Sequence, residues 1–256
     1  MSDQALGADT RPGIVTGSAP RLPPARLGVA VVADLVSAIV TGELRPGDVL
    51  PPEGVLSTNF GVSRTVIRES VKRVEEKGLL TVAQGRGTSV NAPTAWNVLD
   101  PVVLSALVDH DASLGILDEL TIVRSSLESS MAAAAARQQT PERAEELREA
   151  FHATELNIHD FEAYNDADAA FHYAIMEQSG IRLAANITRI LFARARSSSR
   201  FRGSPGEDAL RVTLEEHRAI LESVVSGDAE AASRAMSQHI SLAWERRRPT
   251  DIPHRH

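Results

Sequence analysis

The stretch Phe60-Gly61-Val62-Ser63-Arg64-Thr65-Val66-Ile67-Arg68-Glu69-Ser70-Val71-Lys72 decides how the N-terminal part of this chain folds. Gly61 supplies a tight turn, and the Ser63 hydroxyl is placed to cap a helix. Arg64, Arg68 and Lys72 then recur every fourth residue and form one cationic ridge. Val66, Ile67, Val71 and Val74 form another, apolar face. A helix with these two faces, entered through a turn, suits presentation to the DNA major groove.

Working outward, Val29, Val32, Ala33, Val36, Ile39 and Val40 give helical spacing over 27–44, which Arg45-Pro46-Gly47-Asp48 ends. Pro51-Pro52-Glu53 opens a short helix with Leu56 and Phe60 inward, and the ridge helix stops at Lys77-Gly78. Leu80-Thr81-Val82-Ala83 and Thr88-Ser89-Val90 flank the glycine-rich tip Gln84-Gly85-Arg86-Gly87, which predicts a hairpin. Three helices and a hairpin make a winged helix-turn-helix with Arg86 at the wing tip. On this reading Arg64 and Arg68 reach base edges or phosphates, Lys72 supports them at the backbone, and Ser63 and Thr65 donate to phosphate. A solvated surface helix is the alternative for the ridge taken alone.

The net charge of −7 argues at first against a nucleic-acid partner. Residues 27–91 hold seven Lys/Arg and seven Asp/Glu, whereas 92–256 hold seventeen against twenty-five. The acid therefore belongs to the C-terminal part. The chain has no cysteine and no apolar run long enough to span a bilayer, so no membrane partner is expected and a cytoplasmic location is the default.

Residues 1–26 read as a flexible arm and 92–101, with Pro93 and Pro101, as a linker anchored by Trp96. The remainder reads as helices at 102–110, 113–138, 140–156, 159–179, 181–198, 207–225 and 228–246, within a domain spanning 102–248. The end, from Arg246 through the tail 249–256, is expected to be frayed. The predicted fold class is mainly α: a winged helix-turn-helix at 27–91, then an all-α antiparallel helical bundle.

A second site is expected in that bundle. Asp168 and His172 are spaced i,i+4 and leave one helix face. His217 and His239 flank Ser226-Gly227-Asp228, which closes a helical hairpin; at 1.5 Å per residue they stand ~14 and ~16 Å from the turn. They can converge. Three imidazoles and one carboxylate suit Zn, and also Ni, Mn or Fe. Unrelated surface or core histidines are the plainer alternative.

Ile39 to Gly42, Pro46 to Glu53, Phe60 to Arg64, Arg68-Glu69 and Gly85 to Val90 resemble the DNA-binding domain of GntR-type bacterial regulators. The resemblance implies that Arg64 and Arg68 touch operator DNA and that the wing, Gly85 and Gly87 included, enters the minor groove. Gly54 departs from it, because the family often carries arginine there. Arg124 to Glu128, Asp168 to His172, Glu216 to Ile220 and Gly227 to His239 resemble the all-helical FCD effector domain of the FadR subfamily. That resemblance implies a metal on Asp168, His172, His217 and His239, and a small carboxylate effector beside it. It also places Arg124 at the pocket, with an ion pair to Glu128 as the alternative role; Arg194, Arg196 and Arg200 are further candidates. Trp96 to Pro101 is similar to the sugar-acid, galactonate-type repressors. The expectation is a homodimeric repressor of palindromic DNA and no catalytic residue. A metalloenzyme is one rival, since an open metal position could activate water, and a regulator whose metal only stiffens the bundle is another.

Overall fold

The computed structural model describes residues 24–83, 85–198 and 206–249. The expected arm before residue 24, the tail beyond 249 and Arg200 lie outside them. The chain begins with α1 (Pro24–Val40), α2 (Glu53–Phe60) and α3 (Arg64–Glu76), then the antiparallel strands β1 (Leu80–Ala83) and β2 (Gly87–Val90), in register Leu80 to Val90 and Ala83 to Gly87. A 3-10 turn at Pro93–Ala95 leads to α4 (Pro101–His110), α5 (Gly115–Ala136), α6 (Pro141–Leu156), α7 (Phe161–Gln178) and α8 (Arg182–Ser197). Two long helices complete it, here α9 (Glu207–Val225) and α10 (Ala229–Arg247). None of the described helices is long and apolar enough to cross a membrane.

The ends follow local chemistry. Ser63 accepts from the Val66 amide, Asp100 from Val102 and Val103, Thr140 from Arg143, and Asp228 from Ala231. α1 stops at Val40 rather than near residue 44, because Gly42 turns the chain at φ 78°. The linker is pinned rather than loose. The Asn97 amide donates to the Lys77 carbonyl, Lys77 Nζ meets Asp100 at 2.6 Å, and Trp96 Nε1 donates to the Asn91 carbonyl. A Cβ on Gly78 would lie 2.2 Å from the Ala95 carbonyl oxygen, so this close approach requires glycine.

One apolar core joins Val31, Leu35, Val36 and Ile39 of α1 to Leu56, Ile67, Val71, Val74 and the hairpin residues Leu80 and Val90. A second fills the bundle with Leu147, Phe151, Phe171, Ile175, Ile220, Val224 and Met236. α4 belongs to both sides: Val103 enters the first core, whereas Leu104 and Val108 pack with Leu114, Leu117 and Trp244 of the bundle.

Candidate functional sites: a histidine centre and a cationic helix

α7, α9 and α10 bring three imidazoles to one point inside the bundle. His172, His217 and His239 are almost wholly buried. The Nε2 atoms of His172 and His239 lie 3.2 Å apart, as do those of His217 and His239. Asp168, one turn before His172, places Oδ1 3.5 Å from His217 Nε2. The four residues singled out by spacing are thus brought together, and the histidines form a triad with the reach of a metal centre.

The outer contacts fix which ring nitrogens face inward. His172 Nδ1 donates to Glu128 Oε2 at 2.8 Å, and His239 Nδ1 to Glu216 Oε2 at 2.9 Å. Burial alone would raise the Glu128 carboxyl, but the Arg124 guanidinium and His172 hold it at about 2. Glu216 is likewise held low against its burial by His239 and Arg246, the latter gripping both carboxylate oxygens at 2.7 Å. Ionised carboxylates only accept, so each neutral ring carries its hydrogen on Nδ1. In that tautomer the Nε2 atoms of His172 and His239, 3.2 Å apart, are the ones turned inward. Burial pushes His217 and His239 below the usual imidazole range, which favours the neutral, ligating form.

These residues fit a divalent ion. Asp168 Oδ1, turned to the histidines, is buried without a hydrogen-bond partner among the described residues. Donor separations of 3.2–3.5 Å approach the ~3.3 Å edge of a tetrahedron built on bonds of about 2.0–2.1 Å. Carboxylates behind two of the histidines are the outer arrangement such ligands commonly have.

A small cavity of about 10 Å³ adjoins the triad, lined by Thr121, Arg124, Asp168, Phe192, Trp244 and Arg247 among others. Arg124 makes the ion pair considered for it and also borders this cavity. Its Nε donates to Glu128 Oε1 at 2.7 Å, while its guanidinium lies 3.7 Å over the Phe192 ring and borders the cavity. Arg196 is instead paired with Asp166, and Arg194 borders a separate surface groove near α1 and α4. Phe192, Trp244 and Arg247 were not anticipated. For Arg247 the signal was present: His239, Ala243 and Arg247 follow at i, i+4 and i+8 on one helix face. The expected fraying of this end does not occur through Arg248, because Arg248 pairs with Asp118 at 3.0 Å and Trp244 Nε1 donates to the same carboxylate at 2.7 Å.

At the other end of the molecule, α3 exposes Arg64, Thr65, Arg68 and Lys72 and buries Ile67, Val71 and Val74. Arg68 is held by α2: Nε and Nη2 donate to the two Glu53 oxygens at 3.0 and 2.9 Å. Arg64 lies along α2, its Nη2 3.3 Å from where a Cβ on Gly54 would stand. Gly85, Arg86 and Gly87 are exposed at the wing, with φ 77° and 88° at the two glycines.

Residues 27–90 match the profile described as "Bacterial regulatory proteins, gntR family", and residues 119–242 match that of the FCD domain. The chain is 27% identical over 216 residues to the galactonate operon transcriptional repressor of Escherichia coli K12, covering 84% of this chain and 94% of the relative. It is 32% identical over 219 residues to the putative L-lactate dehydrogenase operon regulatory protein of the same organism, covering 82% of this chain and 83% of the relative. Among solved structures, Lar, which controls the expression of the Listeria monocytogenes agr system and mediates virulence, superposes with TM-score 0.56. That match has 19% identity, covers 86% of this chain and 96% of the other, and speaks for the fold alone.

Proposed function

The chain belongs to the GntR family of bacterial regulatory proteins and carries an FCD domain, and from that premise we propose that it is a metal-dependent, acid-responsive repressor. The observation that carries the proposal is the inward convergence of three Nε2 atoms beside Asp168, next to a cavity bordered by Arg124. A divalent ion held by Asp168, His172, His217 and His239 would supply an open coordination position for the carboxylate of a small acid. Arg124 orients that carboxylate from the side, through the guanidinium edge that Glu128 leaves unused. The relatives named for galactonate and L-lactate operons support an organic acid as effector, with a sugar acid among the candidates.

In this reading residues 27–91 are the DNA-binding head, 92–101 the linker, and 102–248 the effector and dimerisation domain. A homodimer presents two heads to a palindromic operator. Arg64 and Arg68 read base edges, Lys72, Ser63 and Thr65 meet phosphates, and the wing of Gly85, Arg86 and Gly87 follows the minor groove. α4, with Val103 in one core and Leu104 and Val108 in the other, is the mechanical link through which the pocket biases head spacing. Coupling of that kind is typically ~1–3 kcal/mol.

The test is calorimetric. Zinc-loaded protein should bind small carboxylates with an affinity that chelation abolishes, and the acid should release the protein from DNA without being consumed. Binding unaffected by chelation contradicts the metal-dependent reading.

A further inference from the structure

Between α3 and the wing lies a groove of about 600 Å³, lined by both of them and by the segment that leads into α2. Leu80 and Val82 share one face of β1. Leu80 enters the core, whereas Val82, two residues further along the strand, stays 49% exposed and lines the groove. Thr88, its partner across the hairpin, lines the groove as well. Val49 and Pro51 contribute from the segment before α2, and Val49 is 60% exposed. A Cβ on Gly87 would stand 3.1 Å from Val49 Cγ1, so the glycine at this wing position leaves Val49 its room.

The charged groups around the groove are unequally committed. Glu53 holds Arg68, and Glu75 Oε1 accepts from the Val82 amide at 2.9 Å. Lys72 is exposed at the groove and has no carboxylate partner among the described residues. The groove thus offers an apolar wall, one available cation and the carboxylate of Glu75. A free anion gains little between Lys72 and Glu75, because attraction to one is offset by repulsion from the other. A chain that alternates apolar rings with anions suits it better, with an anion at Lys72 and a ring on the valines.

Duplex DNA supplies such a chain. With α3 in the major groove and the wing in the neighbouring minor groove, one sugar–phosphate strand runs between the two. The surface that joins α3 to the wing is this groove. We propose that the groove seats that strand, with Lys72 at a phosphate and Val49 and Val82 packed on deoxyribose. The valines then contribute affinity by burying apolar area, a contact that carries no charge and reads no base. The assignment rests on the recognition-helix reading of α3 and extends it to the surface beside that helix.

Hydroxyl-radical footprinting of the full-length protein on a duplex that it has selected in vitro tests this. Radicals abstract hydrogen from exposed deoxyriboses, so a sugar packed on protein resists cleavage. In the wild-type complex a short run of sugars should be protected on the strand between the bases read by α3 and the minor groove entered by the wing. The double variant Val49→Ala, Val82→Ala should lose protection at those sugars alone. It should bind DNA about 5- to 20-fold more weakly with the salt slope unchanged. Lys72→Gln should instead make the slope shallower by about one counterion. Thermal unfolding checks the fold of each variant. Protection that survives in the double variant, or a weakening that comes with an altered salt slope, would overturn the proposal. Were the groove a small-molecule site, the double variant would keep wild-type affinity and footprint, which overturns it too. If Arg64→Ala leaves base discrimination intact, the recognition-helix reading falls and this proposal with it. If discrimination depends on Arg64 while those sugars are cleaved freely, the proposal falls alone.

Discussion

His172 and His239 face each other Nε2 to Nε2 at 3.2 Å, while each turns Nδ1 onto an ionised carboxylate. With Nδ1 committed outward, both rings turn Nε2, the ligating nitrogen, to the same point. Glu128 and Glu216 therefore enforce the ligating tautomer as well as the ring orientation. Glu128→Gln should weaken zinc binding by about 10- to 100-fold, the usual cost of losing such an outer partner. Competition with a chromophoric chelator measures this. Unchanged affinity would show that the outer carboxylates do not tune the centre.

The same burial sets a pH dependence for the metal-free protein. His217 and His239 are held below the ordinary imidazole range, first by burial, so the unfolded chain binds more protons than the native one as pH drops through about 6.5. Their contribution to stability is complete above that pH and is lost below it, by up to ~1.4 kcal/mol per unit for each group. Glu128, held at about 2, stays ionised in this window and contributes nothing to the slope. The thermal midpoint of chelated protein should fall between pH 7.5 and 5.5. A flat or rising midpoint would contradict the assignment.

Gly54 gives two predictions, one for stability and one for DNA affinity. It lies inside α2 without a positive φ, so Gly54→Ala should stabilise the fold by about 0.5–1 kcal/mol, read by thermal unfolding. Gly54→Arg places a cation beside Arg64, whose flexible end is the only close neighbour. DNA affinity should rise, with a salt slope steeper by about one counterion. A slope that does not change would remove position 54 from the phosphate path.

Much of this was legible in residues. Ser63 as a cap and the buried face of Ile67, Val71 and Val74 follow directly from spacing, whereas α1 ends at Val40, ahead of the Arg45-Pro46-Gly47-Asp48 stop that the pattern suggests. Asp168 and His172 announce a shared face by their i,i+4 separation, and the hairpin at Ser226-Gly227 sets His217 against His239. What spacing cannot supply is contact between elements. Glu53 and Arg68 are fifteen residues apart, and Asp118 meets Arg248 across 130. The built C-terminal turn was missed because a run of three arginines looks solvated until Glu216 and Asp118 are seen opposite Arg246 and Arg248.

The Glu53–Arg68 pair is exposed, so it is worth little to stability. Its consequence is aim. Arg64→Ala and Arg68→Ala should each lose roughly 1–3 kcal/mol of base discrimination, while Glu53→Ala should leave folding intact and relax discrimination through Arg68. Binding of variant duplexes, scored base by base, checks this. Discrimination retained by both arginine variants would overturn the recognition-helix assignment.

The central claim is that a metal centre in the bundle controls DNA binding by the head. Fluorescence anisotropy on a duplex selected in vitro by the zinc-loaded protein, titrated with acid, tests it most directly when wild type and His217→Ala are run side by side. The account predicts acid-driven release from the wild type and none from His217→Ala, with both proteins binding the duplex in the absence of acid. Release that persists unchanged in His217→Ala would contradict it.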